Sequence, residues 1–185
     1  MSAFIKTPSK IPGYLKIGLW ISKKATGMDL LVPKLLAWYP KVAISSGVLE
    51  LLVAHGKKDL SARILQLVRI QTSLAASCPF CLDMNSYEYE KNMISKDELA
   101  GLQGKIELAS VATFSNREKI ALNYVKAISQ TPISIAKDLV TSLQENFTER
   151  EIVILASTAA QVNYWARLIQ ALGVPPAGFS NKCER

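Results

Sequence analysis

The chain has 185 residues, of which 49% are hydrophobic and 20% charged, and a net charge of +7 at pH 7. That is enough apolar side chain for one sizeable core, so a single domain over residues 1–185 is expected. The lysines are dispersed (Lys6, Lys10, Lys16, Lys23 and Lys24 near the start, Lys57 and Lys58 in a turn) with no aromatic-interleaved basic motif, which argues for solvated surface and against a nucleic-acid partner.

No apolar run reaches the ~18 residues of a membrane span, so no membrane partner is expected. Pro12, Gly13 and Lys16 interrupt the first apolar stretch and no small-residue cleavage site follows, so the sequence does not read as a secretory signal. The expected compartment is the reducing cytoplasm, where paired cysteines serve redox chemistry or metal binding more often than structural bridging.

In chain order, residues 1–13 read as a basic arm that orders only by packing on something else. Leu15, Leu19 and Ser22, with Ile17 and Ile21 beside them, give a helix from Tyr14 to Ala25 that Gly27 ends. Asp29 or Pro33 opens a short helix containing Leu35, Leu36 and Trp38, stopped at Pro40. A third runs from Lys41 to His55 with Val42, Leu49, Leu52 and Val53 on its apolar side and Gly56 as its stop. His55 is read there as a helix-end residue near the last carbonyls.

Asp59 or Ser61 caps the next helix, whose apolar face is Ile64, Leu67, Val68, Ile70 and Leu74 and whose polar insertions are Gln66, Arg69 and Ser73. A break at Ala75–Ser77 leads into Cys78-Pro79-Phe80-Cys81, with Pro79 placed where a helix start tolerates it, and that helix is expected to continue to Asn92. Three capping boxes follow: Ser95 with Glu98, Ser115 with Glu118, and Thr148 with Glu151. Ile94 with Leu99 and Phe147 with Ile152 add hydrophobic staples to the first and last. Ser134 is expected to begin a helix through Leu143, and the Thr148 helix to run to Leu172 before Gly173 and Pro175-Pro176 stop it. Residues 177–185 form a polar tail. Period-two alternation is absent, so the fold class is all-α. A faint echo between Leu60-Ser61-Ala62-Arg63 and Phe147-Thr148-Glu149-Arg150 is no stronger than two amphipathic helices share by chance.

The chemistry concentrates in Cys78 and Cys81. At the first turn of a helix, free backbone N–H groups and the positive dipole end favour a thiolate. Structural zinc needs four ligands, and only Cys183 and His55 remain to supply the other two, so no metal or other bound cofactor is expected. A dithiol pair fits better, because a resolving sulfur must lie within one helical turn of the attacking one, although two buried apolar cysteines would share this spacing.

The stretch from Leu60 to Ile70 and on through Ser77-Cys78-Pro79-Phe80-Cys81-Leu82-Asp83-Met84-Asn85-Ser86 resembles the core of the alkylhydroperoxidase D-like (AhpD-like) and carboxymuconolactone decarboxylase family. Phe114-Ser115-Asn116-Arg117-Glu118, Phe147-Thr148-Glu149-Arg150-Glu151 and Asn163-Tyr164-Trp165-Ala166-Arg167-Leu168 resemble its later helices, so the likeness spans residues 30–176. It implies an all-helical fold assembled as a homo-oligomer, a dimer, trimer or hexamer, with the cysteines at a helix start in a buried cleft. It also implies that Cys81 attacks a peroxide and that Cys78 resolves the product and exchanges with an external dithiol carrier protein. The family's peroxidases place a Glu twelve positions before the first Cys and a His four after the second, as a proton relay. Gln66 and Asn85 stand at those positions here, and amides hydrogen-bond but accept no proton at neutral pH. Arg69, Asp83 and Glu88 are nearby charges that could support a thiolate or a proton transfer, Asp83 and Glu88 reading first as dipole partners and surface charge. Trp165, Asn163 and Arg167 are further cleft candidates, with core or interface packing as the plainer reading.

Three functions are therefore expected in descending order: a thiol-dependent oxidoreductase acting on a hydroperoxide or disulfide with a divergent relay; a non-catalytic oligomer that keeps the fold for binding; and a decarboxylase-like lyase. The lyase is disfavoured because such members rely on a His, and His55 lies outside the motif.

Overall fold

The computed structural model describes residues 3–52 and 59–179; the expectations for Val53, His55, Gly56, Lys57, Lys58 and Cys183 lie outside these. The described residues contain nine helices and no strand. They are α1 (Gly13–Thr26), α2 (Leu31–Leu36), α3 (Pro40–Leu52), α4 (Ala62–Ala75), α5 (Pro79–Asn85), α6 (Lys96–Leu102), α7 (Asn116–Ile128), α8 (Lys137–Asn146) and α9 (Glu149–Ala171), with 3-10 turns at Tyr89–Asn92 and Leu108–Ser110. None is long and apolar enough to cross a membrane.

Helix α4 is the centre: it packs on α5, α7 and α9. Val68 on α4, Val125 on α7 and Leu155 and Ala159 on α9 are wholly excluded from solvent in one cluster, each large aliphatic side chain contributing ~1.5–3 kcal/mol by its burial. A second cluster joins α2, α5 and α9 around the cysteines, and a third joins α4 to α6 and α7.

The helix boundaries follow local chemistry. Gly27 ends α1 with φ 66°, a left-handed conformation that costs glycine nothing, and its N–H donates to the Lys23 carbonyl at 2.8 Å. Pro40 is not the stop of α2, which ends at Leu36; it is the first residue of α3, where a missing N–H leaves nothing unpaired. Ser61, rather than Asp59, caps α4. Helix α5 stops at Asn85 instead of reaching Asn92, because Glu88 takes φ 55° and breaks the spiral before the 3-10 turn. Helix α8 starts at Lys137, three residues after Ser134, on an Ala136 cap with no side-chain hydrogen bond.

All three capping boxes form. Their glutamates also work across helices. Glu98 accepts from Ser95 N–H at 2.8 Å with one oxygen and from Arg63 Nη2 at 2.5 Å with the other. Glu118 accepts from Ser115 N–H at 2.8 Å and from Arg63 Nε at 2.6 Å. Glu151 accepts from Thr148 N–H at 2.9 Å and from Arg117 Nη2. One arginine of α4 thus ties the first turns of α6 and α7 together. Burial pushes the Glu98 carboxyl up, but Arg63 and the cap hydrogen bonds outweigh it and hold its pKa below the usual 4.5.

The arm reaches the far end of the fold: Phe4 N–H donates to the Leu172 carbonyl at 3.0 Å, and the Phe4 ring lies over Gly173. A Cβ at Gly173 would meet that ring at 2.5 Å, and its φ of 64° is also glycine's. Two helices keep apolar stripes in solvent: Tyr14, Ile17, Trp20 and Ile21 on α1, and Ile44, Val48 and Leu51 on α3, which packs beside it.

Candidate functional site

The loop from α4 to α5 is one tight reversal. Ser77 takes φ 49°, Ser77 N–H donates to the Leu74 carbonyl at 3.0 Å, and Cys78 N–H to the Ser73 carbonyl at 3.1 Å. Cys78 is then the N-cap of α5, Pro79 enters its first turn, and Cys81 N–H donates to Cys78 Sγ at 3.2 Å. A sulfur that accepts an N–H at a helix start is stabilised as a thiolate in its reduced form. The two cysteines are disulfide-bonded, with a Cα–Cα distance of 5.3 Å, and only 2% and 3% exposed. Their wall is apolar: Val32, Leu35 and Leu36 of α2, Phe80 of α5, Ala166 and Ile169 of α9, and Val174, with Trp165 packed on it.

Gln66 and Asn85 come together, but as structural hydrogen-bonders. Gln66 Nε2 donates to the carbonyls of Asn85 and Tyr87, both at 3.2 Å, and Gln66 Oε1 accepts from Asn92 Nδ2 at 2.5 Å. Asn85 Nδ2 donates to Ser73 Oγ at 3.0 Å, which donates to the Arg69 carbonyl at 2.7 Å. Gln66 therefore fastens the C-terminal end of α5, and Asn85 fastens α5 to α4. Among the described residues, neither amide hydrogen-bonds a sulfur.

These amides line a cavity of about 280 Å³ with Arg69, Met84, Tyr87 and Asn92. Met84 and Asn85 lie three and four residues after Cys81, on the same face of α5. Burial lowers the pKa of the Arg69 guanidinium and Glu50 pulls it back up, and an arginine stays cationic throughout.

The remaining expectations sort differently. Asp83 is no helix-dipole partner: its Oδ2 accepts from the N–H groups of Gly178 and Phe179 at 2.8 and 3.0 Å and clamps the following chain over α5. Glu88 pairs with Lys91 at 2.6 Å on the surface. Asn163 Nδ2 donates to Ser129 Oγ at 3.0 Å, away from the cysteines, and Arg167 reaches Thr131 at 3.5 Å. Trp165 does border the cysteine cluster, and its Nε1 donates to Glu50 Oε2 at 2.8 Å, as does Gln161 Nε2. Glu50 was missed in the sequence reading; its signal is a lone carboxylate in the otherwise apolar or hydroxylic α3 sequence after Lys41. Among the described residues, no group of three or more His, Cys, Asp or Glu is placed to hold a metal ion.

No family profile matches the chain. The uncharacterized protein YnjA of Escherichia coli (strain K12) is 25% identical over 180 residues, 96% of each chain. Among solved structures, the debrominase Bmp8 in its apo form superposes with a TM-score of 0.81 at 16% identity, covering 97% of this chain and 95% of that one. An uncharacterized peroxidase-related protein from Ralstonia eutropha JMP134, described as an alkylhydroperoxidase AhpD core, gives a TM-score of 0.77 at 14% identity over 95% and 93%. The chain has the AhpD-like fold.

Proposed function

We propose that the protein is a thiol-dependent oxidoreductase that reduces a hydroperoxide or a disulfide through Cys81 and Cys78. The observation that carries this reading is the pairing of the two sulfurs at the start of α5, with the Cys81 N–H on Cys78 Sγ. With a hydroperoxide, the Cys81 thiolate forms an S–O bond as the O–O bond breaks; Cys81 becomes a sulfenic acid, and the leaving alkoxide takes a proton from solvent to depart as the alcohol. The Cys78 thiolate then attacks the Cys81 sulfur, expelling hydroxide that leaves as water on taking a proton, and closes the disulfide; an external dithiol carrier reopens it by attacking Cys78, with Cys81 leaving as the thiolate. The cytoplasm is the compartment that supplies such a carrier. The peroxidase-related name of one structural neighbour favours this chemistry, and the debrominase name of another marks the fold as host to more than one reaction.

Because both relay positions are amides engaged in structural bonds, the proton transfer is weakened, and a missing general base costs on the order of 10²-fold or more in rate. The same engagement favours a second reading, a non-catalytic binding oligomer. In either case a second copy of the chain covers the α1 and α3 stripes, whose large apolar side chains are 47–72% exposed, the kind of surface that a standard interface of ~800 Å² per partner buries.

Alkylation of the reduced protein against pH, followed by mild peroxide, separates the readings. The redox function predicts a thiol midpoint below ~8.5, loss of two thiols per chain on peroxide treatment and their return with a dithiol. A midpoint at or above that value with no disulfide formed refutes it and leaves the binding oligomer.

A further inference from the structure

We propose that the cavity between α4 and α5 is a carboxylate-binding subsite in which Arg69 holds the acid end of a short-chain anionic substrate. For its reactive end the inference rests on the oxidoreductase reading.

Arg69 carries five N–H donors and, among the described residues, hydrogen-bonds none of the protein's acceptors with them. Every other arginine of the described residues is engaged: Arg63 by Glu98 and Glu118, Arg117 by Glu151, Arg150 by Asp59, Arg167 by Thr131. A half-buried arginine lining a cavity is a partly desolvated cation with its fork unused, and a planar carboxylate is the group that fits that fork. The charged neighbour is Glu50, too far for an ion pair and already accepting from Gln161 and Trp165. The rest of the lining is neutral: the amides of Gln66, Asn85 and Asn92, the Met84 thioether and Tyr87.

The site also points at the chemistry. Cys81 lies one helical turn, ~6 Å along the axis, before the lining residue Asn85, its own side chain buried in the apolar cluster of α2, α5 and α9. An acid held at Arg69 would place an atom a few bonds from its carboxylate towards that sulfur, so the substrate class is a short-chain carboxylate bearing a peroxide or disulfide. For 3,3′-dithiodipropionate the step balances: the Cys81 thiolate forms a mixed disulfide and expels one 3-mercaptopropionate, then Cys78 forms the internal disulfide and expels the second.

Binding is tested apart from chemistry by titrating butyrate, and its neutral isostere butyramide, into the oxidised ¹⁵N-labelled protein at physiological salt. Butyrate should bind about tenfold to a hundredfold more tightly, the usual advantage of an ionic hydrogen bond, shifting Arg69 Nε and the side-chain amides of Gln66, Asn85 and Asn92. Arg69→Met should abolish the difference and Arg69→Lys should keep part of it; since Arg69 hydrogen-bonds no group among the described residues, neither change orphans a partner there, and thermal melts verify that both fold. Equal binding of the two probes, or a preference that survives Arg69→Met, overturns the subsite. In the reduced protein, 3,3′-dithiodipropionate should then react at least several-fold faster than bis(2-hydroxyethyl) disulfide, with the ratio collapsing in Arg69→Met. If butyrate binds through Arg69 but neither disulfide oxidises the thiols, the subsite is upheld and the oxidoreductase reading falls; if both react at one rate, the substrate class is overturned.

Discussion

Replacing Gln66 by Glu would place at this position the acid that a proton relay requires, and the structure predicts that the change destabilises the protein. Gln66 Nε2 is the donor for two backbone carbonyls, those of Asn85 and Tyr87. An ionised carboxylate donates to neither and sets a negative charge against both. Two neutral hydrogen bonds at ~1 kcal/mol each disappear, and the stronger hydrogen bond from Asn92 to a charged acceptor offsets part of the repulsion, so the net loss is about 2 kcal/mol. The new carboxyl is easier to keep protonated in the folded chain than in the unfolded one, because the protonated form restores one donor, so its folded pKa is raised. A raised pKa gives a contribution that is present below the unfolded value, ~4.3, and lost as pH rises through the folded one. Urea denaturation of wild type and Gln66→Glu at pH 5 and pH 8 should therefore show a deficit of about 2 kcal/mol at pH 8 that shrinks at pH 5. Equal midpoints at pH 8, or a larger deficit at pH 5, would refute the reasoning.

Arg63→Met strands two buried carboxylates and should cost about 3–5 kcal/mol in denaturant. The depressed pKa of Glu98 means that its stabilisation is present above pH ~4.5 and is lost as pH falls through the folded value, so thermal melts from pH 7 to pH 3 should fall less steeply in Arg63→Met than in wild type. For the exposed stripes, Trp20→Glu and Val48→Glu together should shift the sedimenting species to monomer with the helical circular dichroism retained, and a wild-type chain that already sediments as a monomer removes the proposed interface.

What the sequence shows and what it hides divide by distance along the chain. The boxes at Ser95, Ser115 and Thr148 are legible because each bond is made within three residues, and so are Gly27 and Ser61 at helix ends. The outer oxygens of the same glutamates are illegible, because Arg63 reaches Glu98 and Glu118 across 35 and 55 residues. The stop at Asn85 was missed because it depends on the left-handed Glu88, an uncommon residue for that conformation, and Ser134 misled because α8 has no side-chain cap at all. At the candidate site, spacing singled out Cys78 and Cys81, and the family resemblance added Gln66 and Asn85. Neither could say which atoms of the amides are already spent, nor that Glu50 arrives from α3 and Asp83 is taken by residues 178 and 179.

The contact of Phe4 with Gly173 fixes an order of events on the ribosome. The arm is made long before its dock, the Leu172 carbonyl and the bare face of Gly173. Until the Gly173 stretch exists Phe4 has no such dock in its own chain, and an uncovered apolar side chain is what exposes a nascent polypeptide to aggregation. An early segment is put in place only once a much later one exists.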